Sequence, residues 1–191
     1  MMTGNGIKLY INDRLQDLKL VEDLARLSEQ RREQALRFRF ELGRRACAAA
    51  YLLLCEGLRH DYGLTELPLF EYGEHGKPVI VGHPDIHFNL SHCHEAAICA
   101  ISDQPVGVDV ESIRPIKESL VNYTMNDDEV HQILTSENPA LTFTSLWTMK
   151  EAVVKRSGQG LTNDLKHLLC PRPQGLTTVV STDLRYVYSY L

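Results

Sequence analysis

Residues 106–111, Val-Gly-Val-Asp-Val-Glu, constrain the fold more than any other stretch of this chain. Three valines alternate with a glycine and two acids, so the segment reads as a strand with one apolar and one acidic face. Val106, Val108 and Val110 need a core on one side. Gly107, Asp109 and Glu111 share the other, with both carboxylates side by side. Residues 146–155, Leu-Trp-Thr-Met-Lys-Glu-Ala-Val-Val-Lys, lack glycine and proline and read as a helix on which Glu151 and Lys155 share a face. Taken singly, each block reads more readily as an ordinary solvated surface. Taken together, they bring three carboxylates, with Lys150 and Lys155 beside the third, into an arrangement suited to a hard cation and a phosphate. Mg²⁺ takes few carboxylates and completes its octahedron with water and phosphate oxygens.

The rest of the chain supplies elements around these two blocks. An edge strand is expected over 7–12, and a helical region over 28–60. The expected buried stripe of that region is Leu36, Phe40, Gly43, Cys47, Ala50, Leu54 and Leu58. A turn is expected at 73–78, then strands at 79–81, 86–91, 96–102 and 106–111. In the second of these, alternation turns Ile86, Phe88 and Leu90 inward and His87, Asn89 and Ser91 outward. Asn126-Asp127-Asp128-Glu129 reads as a helix start, with a capping Asn or Asp and acids in the first turn. A helix over 140–157 ends at Gly158 and Gly160, and strands at 179–180 and 184–191 close the chain. The order is a long helix followed by strands, twice, with a break near 103–105.

Composition narrows the function. A net charge of −5 argues against general nucleic-acid binding. Five cysteines, odd in number and without a C-x-x-C pair, fit a reducing cytosol better than a disulfide framework. Residues 1–10 hold no sustained apolar run, so no secretory signal is expected. The longest apolar stretch, 46–55, would span only about 15 Å as a helix, half a bilayer core, so no membrane span is expected. Ser91-His92-Cys93-His94 lacks the ligand spacing of a zinc site, and no nucleophile elbow surrounds Ser91. No P-loop or G-x-G-x-x-G is present.

Four blocks occur in the order Gly76-Lys77-Pro78, Phe88-Asn89-Leu90-Ser91-His92, Val106-Gly107-Val108-Asp109-Val110-Glu111 and Trp147-Thr148-Met149-Lys150-Glu151-Ala152-Val153-Val154-Lys155. This series resembles the signature of the 4′-phosphopantetheinyl transferases. The resemblance implies an α+β fold of two similar lobes, 1–103 and 104–191, related by a pseudo-twofold axis with coenzyme A between them. It implies Mg²⁺-dependent transfer of 4′-phosphopantetheine from coenzyme A to a serine of an apo acyl or peptidyl carrier protein, with release of 3′,5′-ADP.

By the same correspondence, Asp109, Glu111 and Glu151 hold the metal, Lys155 contacts the phosphates and assists the leaving oxygen, and Lys150 is a second phosphate or orienting group. Glu129 is a candidate base for the serine, a water on the cation being the alternative. Gly76, Lys77 and Pro78 meet the adenine and nearby phosphate, and Ser91 and His92 the nucleotide, His92 at its 3′-phosphate. Many relatives carry a basic residue where this chain has Ala48, so Arg44 or Arg45 is expected to substitute in gripping phosphate. The same carboxylates would serve a phosphohydrolase acting on coenzyme A. Loss of a metal carboxylate or of the second lysine would mark an idle binding module, and none is lost.

Overall fold

Alternating apolar residues pair the strands into two small sheets whose inner faces meet. The structure is a computed structural model that describes residues 6–160 and 164–191. Strand β1 (Lys8–Asn12) is followed by three helices, α1 (Leu20–Ala25), α2 (Glu29–Leu36) and α3 (Glu41–Tyr62). A hairpin of β2 (Phe70–Tyr72) and β3 (Pro78–Ile80) precedes β4 (His87–His92) and β5 (Ala97–Ser102). Then come β6 (Val108–Ser112), helices α4 (Glu118–Thr124), α5 (Asp127–Thr135) and α6 (Pro139–Ser157), and strands β7 (Thr177–Val180) and β8 (Tyr186–Tyr190).

One antiparallel sheet has the order β1-β5-β4 and the other β6-β8-β7. Both follow one route: a strand, a run of helices, then two strands of which the last inserts in the middle. Alternation along β5 gives Ala97, Cys99 and Ile101 to a core under α3 and Ile98 and Ala100 to a second core. That second core also takes Val106, Val108 and Val110, so the two sheets pack face to face. Helix α6 covers the outer face of the second sheet. There the buried Thr148 hydroxyl meets Ser189, which in turn meets Thr178, each at 2.8 Å. The α+β class expected from the sequence is the one found.

Several expectations change. The helical region over 28–60 is two helices, broken at 37–40, where Phe40 is extended. Leu36 and Phe40 are exposed, and the buried stripe begins at Cys47. The cause is Phe38, whose ring turns back over Gly43 and onto His92, which a continuous helix would not permit. Strand β2 and helices α1 and α4 have no counterpart in the sequence reading, because each is too short to show a period. Asn89 and Ser91, expected to face outward, are buried against β6. The Val108 N–H donates to Asn89 Oδ1 at 2.9 Å, and the Val110 N–H to Ser91 Oγ at 3.3 Å. Side chains of one sheet edge thus satisfy the backbone of the other. Among the described residues no helix is long and apolar enough to cross a membrane.

Gly107 has no room for a side chain. A Cβ there would overlap the Ala152 carbonyl and lie 2.5 Å from the Arg156 nitrogen, both backbone atoms of α6. Gly107→Ala is expected to cost at least ~3 kcal/mol, since neither β6 nor α6 can yield locally. A urea unfolding midpoint equal to that of the parent would contradict this close approach.

Candidate active site

Three elements deliver the polar groups to one place. Strand β4 brings Ser91 to the edge of β6, β6 presents Asp109 and Glu111, and α6 presents Glu151 and Lys155 one turn apart. The Ser91 hydroxyl donates to Asp109 Oδ1 at 2.9 Å, and the Lys155 ammonium donates to that oxygen at 2.6 Å and to Ser91 Oγ at 3.0 Å. Asp109 is 3% exposed, and its other oxygen, Oδ2, is buried without a partner among the described residues.

Three carboxyls face one lysine. Burial pushes the Glu111 carboxyl up to about 7, with the charges of Asp109 and Glu151 adding to the effect and Lys155 opposing it. Burial likewise raises Glu151, again with Asp109 adding and Lys155 opposing. Like charges crowded at low dielectric resist ionising together. Among the described residues no three Asp, Glu, His or Cys side chains already form a cage for a metal ion. The orphaned Asp109 oxygen and the strained ionisation of its neighbours nonetheless fit a divalent cation that also takes water and phosphate oxygens. The donors are all oxygens, which suits Mg²⁺.

Beside this cluster, a cavity of about 270 Å³ lies between the tip of the β2–β3 hairpin and the end of α6. Gly76, Lys77 and Pro78 form one wall, Glu151, Lys155 and Gly158 the other, and Asn89 also lines it. His92 lies next along β4. Burial, then the charges of Lys155 and Arg31, lower its pKa to about 4, so the ring is neutral at pH 7. Phe38 packs edge-on against it, with centroids 5.4 Å apart.

Arg31 is a residue that the sequence blocks do not single out. It is 8% exposed, lies against Tyr51 and Phe70, and joins no ion pair among the described residues. Its Nη1 donates to Gln34 Oε1, its Nη2 approaches Cys47 Sγ, and its Nε is buried without a partner among the described residues. The signal was available: Leu27, Arg31 and Ala35 fall four apart and are all buried, so an arginine sits in an apolar stripe.

Arg44 and Arg45, the expected substitutes, are occupied elsewhere. Arg45 Nη1 donates to the carbonyls of Gln16 at 2.6 Å and Leu18 at 2.7 Å, while its Nε and Nη2 grip Glu41. Arg44 Nε donates to the Phe38 carbonyl at 2.9 Å. Both fasten local structure.

Lys150 and Glu129 hold one another. The fully buried Lys150 ammonium donates to Glu129 Oε2 and to the Leu165 carbonyl, both at 2.7 Å. Glu129 Oε2 also accepts the Asn126 N–H, closing a capping box at the start of α5. Lys77 directs its ammonium to two backbone carbonyls, Val106 at 3.2 Å and Arg156 at 2.8 Å.

The comparisons with known proteins meet this geometry. Residues 105–189, which carry Asp109, Glu111, Glu151 and Lys155, match the 4′-phosphopantetheinyl transferase superfamily. Over that stretch, and in longer matches to curated relatives, the chain is similar to members of that superfamily. It is 35% identical over 142 residues to the 4′-phosphopantetheinyl transferase psf-1 of Bacillus pumilus, covering 73% of this chain and 61% of that protein. It is 32% identical over 138 residues to the 4′-phosphopantetheinyl transferase Sfp of Bacillus subtilis, covering 71% of this chain and 62% of the relative. With the 4′-phosphopantetheinyl transferase AcpT of Salmonella typhi the identity is 39% over 101 residues, covering 50% and 52% of the two chains. Each match thus spans less than two thirds of the relative's length.

The raised Glu111 carboxyl sets a pH dependence. Its folded pKa of about 7 exceeds the ordinary 4.5, so between those values the folded state holds a proton that the unfolded chain has lost. Its contribution to stability is therefore favourable at low pH and lost as pH rises through 7. Without divalent cation, Glu111→Gln should gain stability relative to the parent from pH 5 to pH 8. A difference in melting temperature that stays flat over that range would contradict the assignment.

Proposed function

We propose that this chain transfers 4′-phosphopantetheine from coenzyme A to a serine hydroxyl of an apo acyl or peptidyl carrier protein, releasing 3′,5′-ADP. The observation that carries this reading is the joint of Ser91, Asp109 and Lys155 beside an open cavity, with Asp109 and Lys155 inside the residues that match the superfamily.

Phosphoryl transfer asks for positioning and charge compensation more than for covalent work. In this reading the serine oxygen attacks the β-phosphorus of coenzyme A and the bond to the 3′,5′-ADP oxygen breaks. Glu151, which lines the cavity, takes the serine proton. Lys155, anchored by Asp109 and Ser91 and lining the cavity, donates to the departing phosphate oxygen. Asp109, Glu111 and Glu151 would hold Mg²⁺, which supplies positive charge to the pyrophosphate.

Gly76 and Pro78 offer the hairpin wall to the nucleotide. Neutral His92 and the unpaired Arg31 make a grip for its 3′-phosphate, a role that passes from Arg44 and Arg45 to Arg31. Glu129 and Lys150 act as a brace for α5 and α6 rather than as base and phosphate contact, because their charges are spent on each other in the interior.

On the far side of Glu111 lies a second cavity of about 420 Å³, lined by Arg114, Ile116, Lys117, Leu120 and Trp147 among others. Leu120 and Tyr123 stand exposed near these basic residues, which supports an acidic carrier-protein helix as the partner. We also read 1–103 and 104–191 as two lobes, which the shared strand order supports, and place the protein in the cytosol, which suits five unpaired thiols.

Intact-mass spectrometry of an apo carrier protein, after incubation with this chain, coenzyme A and Mg²⁺, tests the reading. The carrier should gain one phosphopantetheine, and Asp109→Ala or Glu151→Ala should lower the rate at least ~100-fold. Coenzyme A cleaved without carrier modification would mean a phosphohydrolase, and coenzyme A bound without either reaction an idle module. Arg31→Met and His92→Ala should each weaken coenzyme A about tenfold or more while sparing dephospho-coenzyme A. Equal weakening of both, read by calorimetry, would contradict the 3′-phosphate grip.

A further inference from the structure

The β2–β3 hairpin forms its own two-stranded sheet, apart from the two larger sheets. Yet its tip is one wall of the 270 Å³ cavity whose other wall is the end of α6. Something must set the distance between these walls, and Lys77 spans it. The Lys77 ammonium donates to the Arg156 carbonyl at 2.8 Å and to the Val106 carbonyl at 3.2 Å. Arg156 lies in the last turn of α6, where carbonyls have no intrahelical partner and the helix dipole favours a cation. Val106 leads into β6, two residues before its first paired position. One ammonium therefore joins the hairpin to the two elements that carry Asp109, Glu111, Glu151 and Lys155.

The surroundings are shaped for this crossing. Gly158 follows α6 in the left-handed conformation at φ 68°, and a Cβ there would stand 2.9 Å from Lys77 Cδ. The missing side chain leaves the lane that the lysine stem runs through. Burial lowers the Lys77 pKa, with the charge of Arg156 adding, as befits a partly desolvated ammonium whose partners are neutral dipoles.

We infer that Lys77 is a positioning residue, a strut that latches the β2–β3 hairpin onto the end of α6 and the start of β6 and so fixes the width of the cavity. This rests on the reading that the cavity takes the coenzyme nucleotide, and it replaces the expected contact of Lys77 with phosphate. The cation acts through the carbonyls it holds. Gly76 and Pro78, on either side of it, meet the nucleotide because Lys77 keeps them in place.

Hydrogen–deuterium exchange on the unliganded chain tests the strut without reference to function. Lys77→Met keeps the stem and removes the ammonium. The amides of Gly73, Gly76 and Val81, which bond within the hairpin and its approach, should exchange roughly tenfold faster, while those of β4 and β5 keep their protection. Glu71→Gln, on the exposed face of the same hairpin, should leave all of them unchanged. Titration of the same variant should show coenzyme A and dephospho-coenzyme A weakened by the same factor. Unchanged hairpin protection would overturn the strut, and with a loss confined to coenzyme A it would make Lys77 a direct 3′-phosphate contact instead. A loosened hairpin in a chain whose parent binds no coenzyme A would leave the strut standing and remove the functional reading.

Discussion

The Ser91 hydroxyl is the joint on which the site depends. It accepts from the Val110 N–H and from Lys155 and donates to Asp109, so one oxygen ties β4, β6 and α6 together. Strands β4 and β6 are both edges, and unpaired edges are a liability. Here Asn89 and Ser91 close the gap with side chains in place of a backbone ladder. This leaves the two sheets free to stack through Ile98, Ala100, Val108 and Val110 while their edges meet at a polar seam. A seam of this kind can hold a buried carboxylate, because hydroxyl and ammonium donors are already directed at it.

Charge is deliberately unbalanced along that seam. Asp109, Glu111 and Glu151 outnumber Lys155, and burial makes their joint ionisation costly. A few residues away the imbalance reverses, with Arg31 and Lys155 both acting on a neutral His92. An electronegative pocket and an electropositive one side by side make a place for a cation and an anion in the same ligand assembly. A nucleotide pyrophosphate with its metal is such an assembly. The energy of this arrangement lies in desolvated charge, so the site responds to pH.

Much of this was legible in the sequence. The period-two run at 106–111 and the uninterrupted helix around Glu151 follow from alternation and from the absence of breakers, and both were found. The run Asn126-Asp127-Asp128-Glu129 announced the start of α5, which the structure closes with a capping box of Asn126 and Glu129. What was not legible is tertiary. Asn89 and Ser91 alternate as an exposed face would, and only the arrival of β6 buries them. Phe38 lies in the break between α2 and α3, where its ring meets a histidine distant in sequence. Arg31, Arg44, Arg45, Lys77 and Lys150 look alike as basic residues in a string. Which of them meets a carbonyl or a carboxylate, and which meets only neutral side chains, is decided by how the chain packs.

The central claim is that a cation and coenzyme A share the seam between β4, β6 and α6. Calorimetric titration of coenzyme A, with and without Mg²⁺, into the parent chain and Asp109→Asn tests it most directly. The account predicts that Mg²⁺ tightens binding to the parent by about tenfold or more, roughly 1.4 kcal/mol, and that Asp109→Asn loses this gain. Binding of equal strength in all four titrations would contradict it.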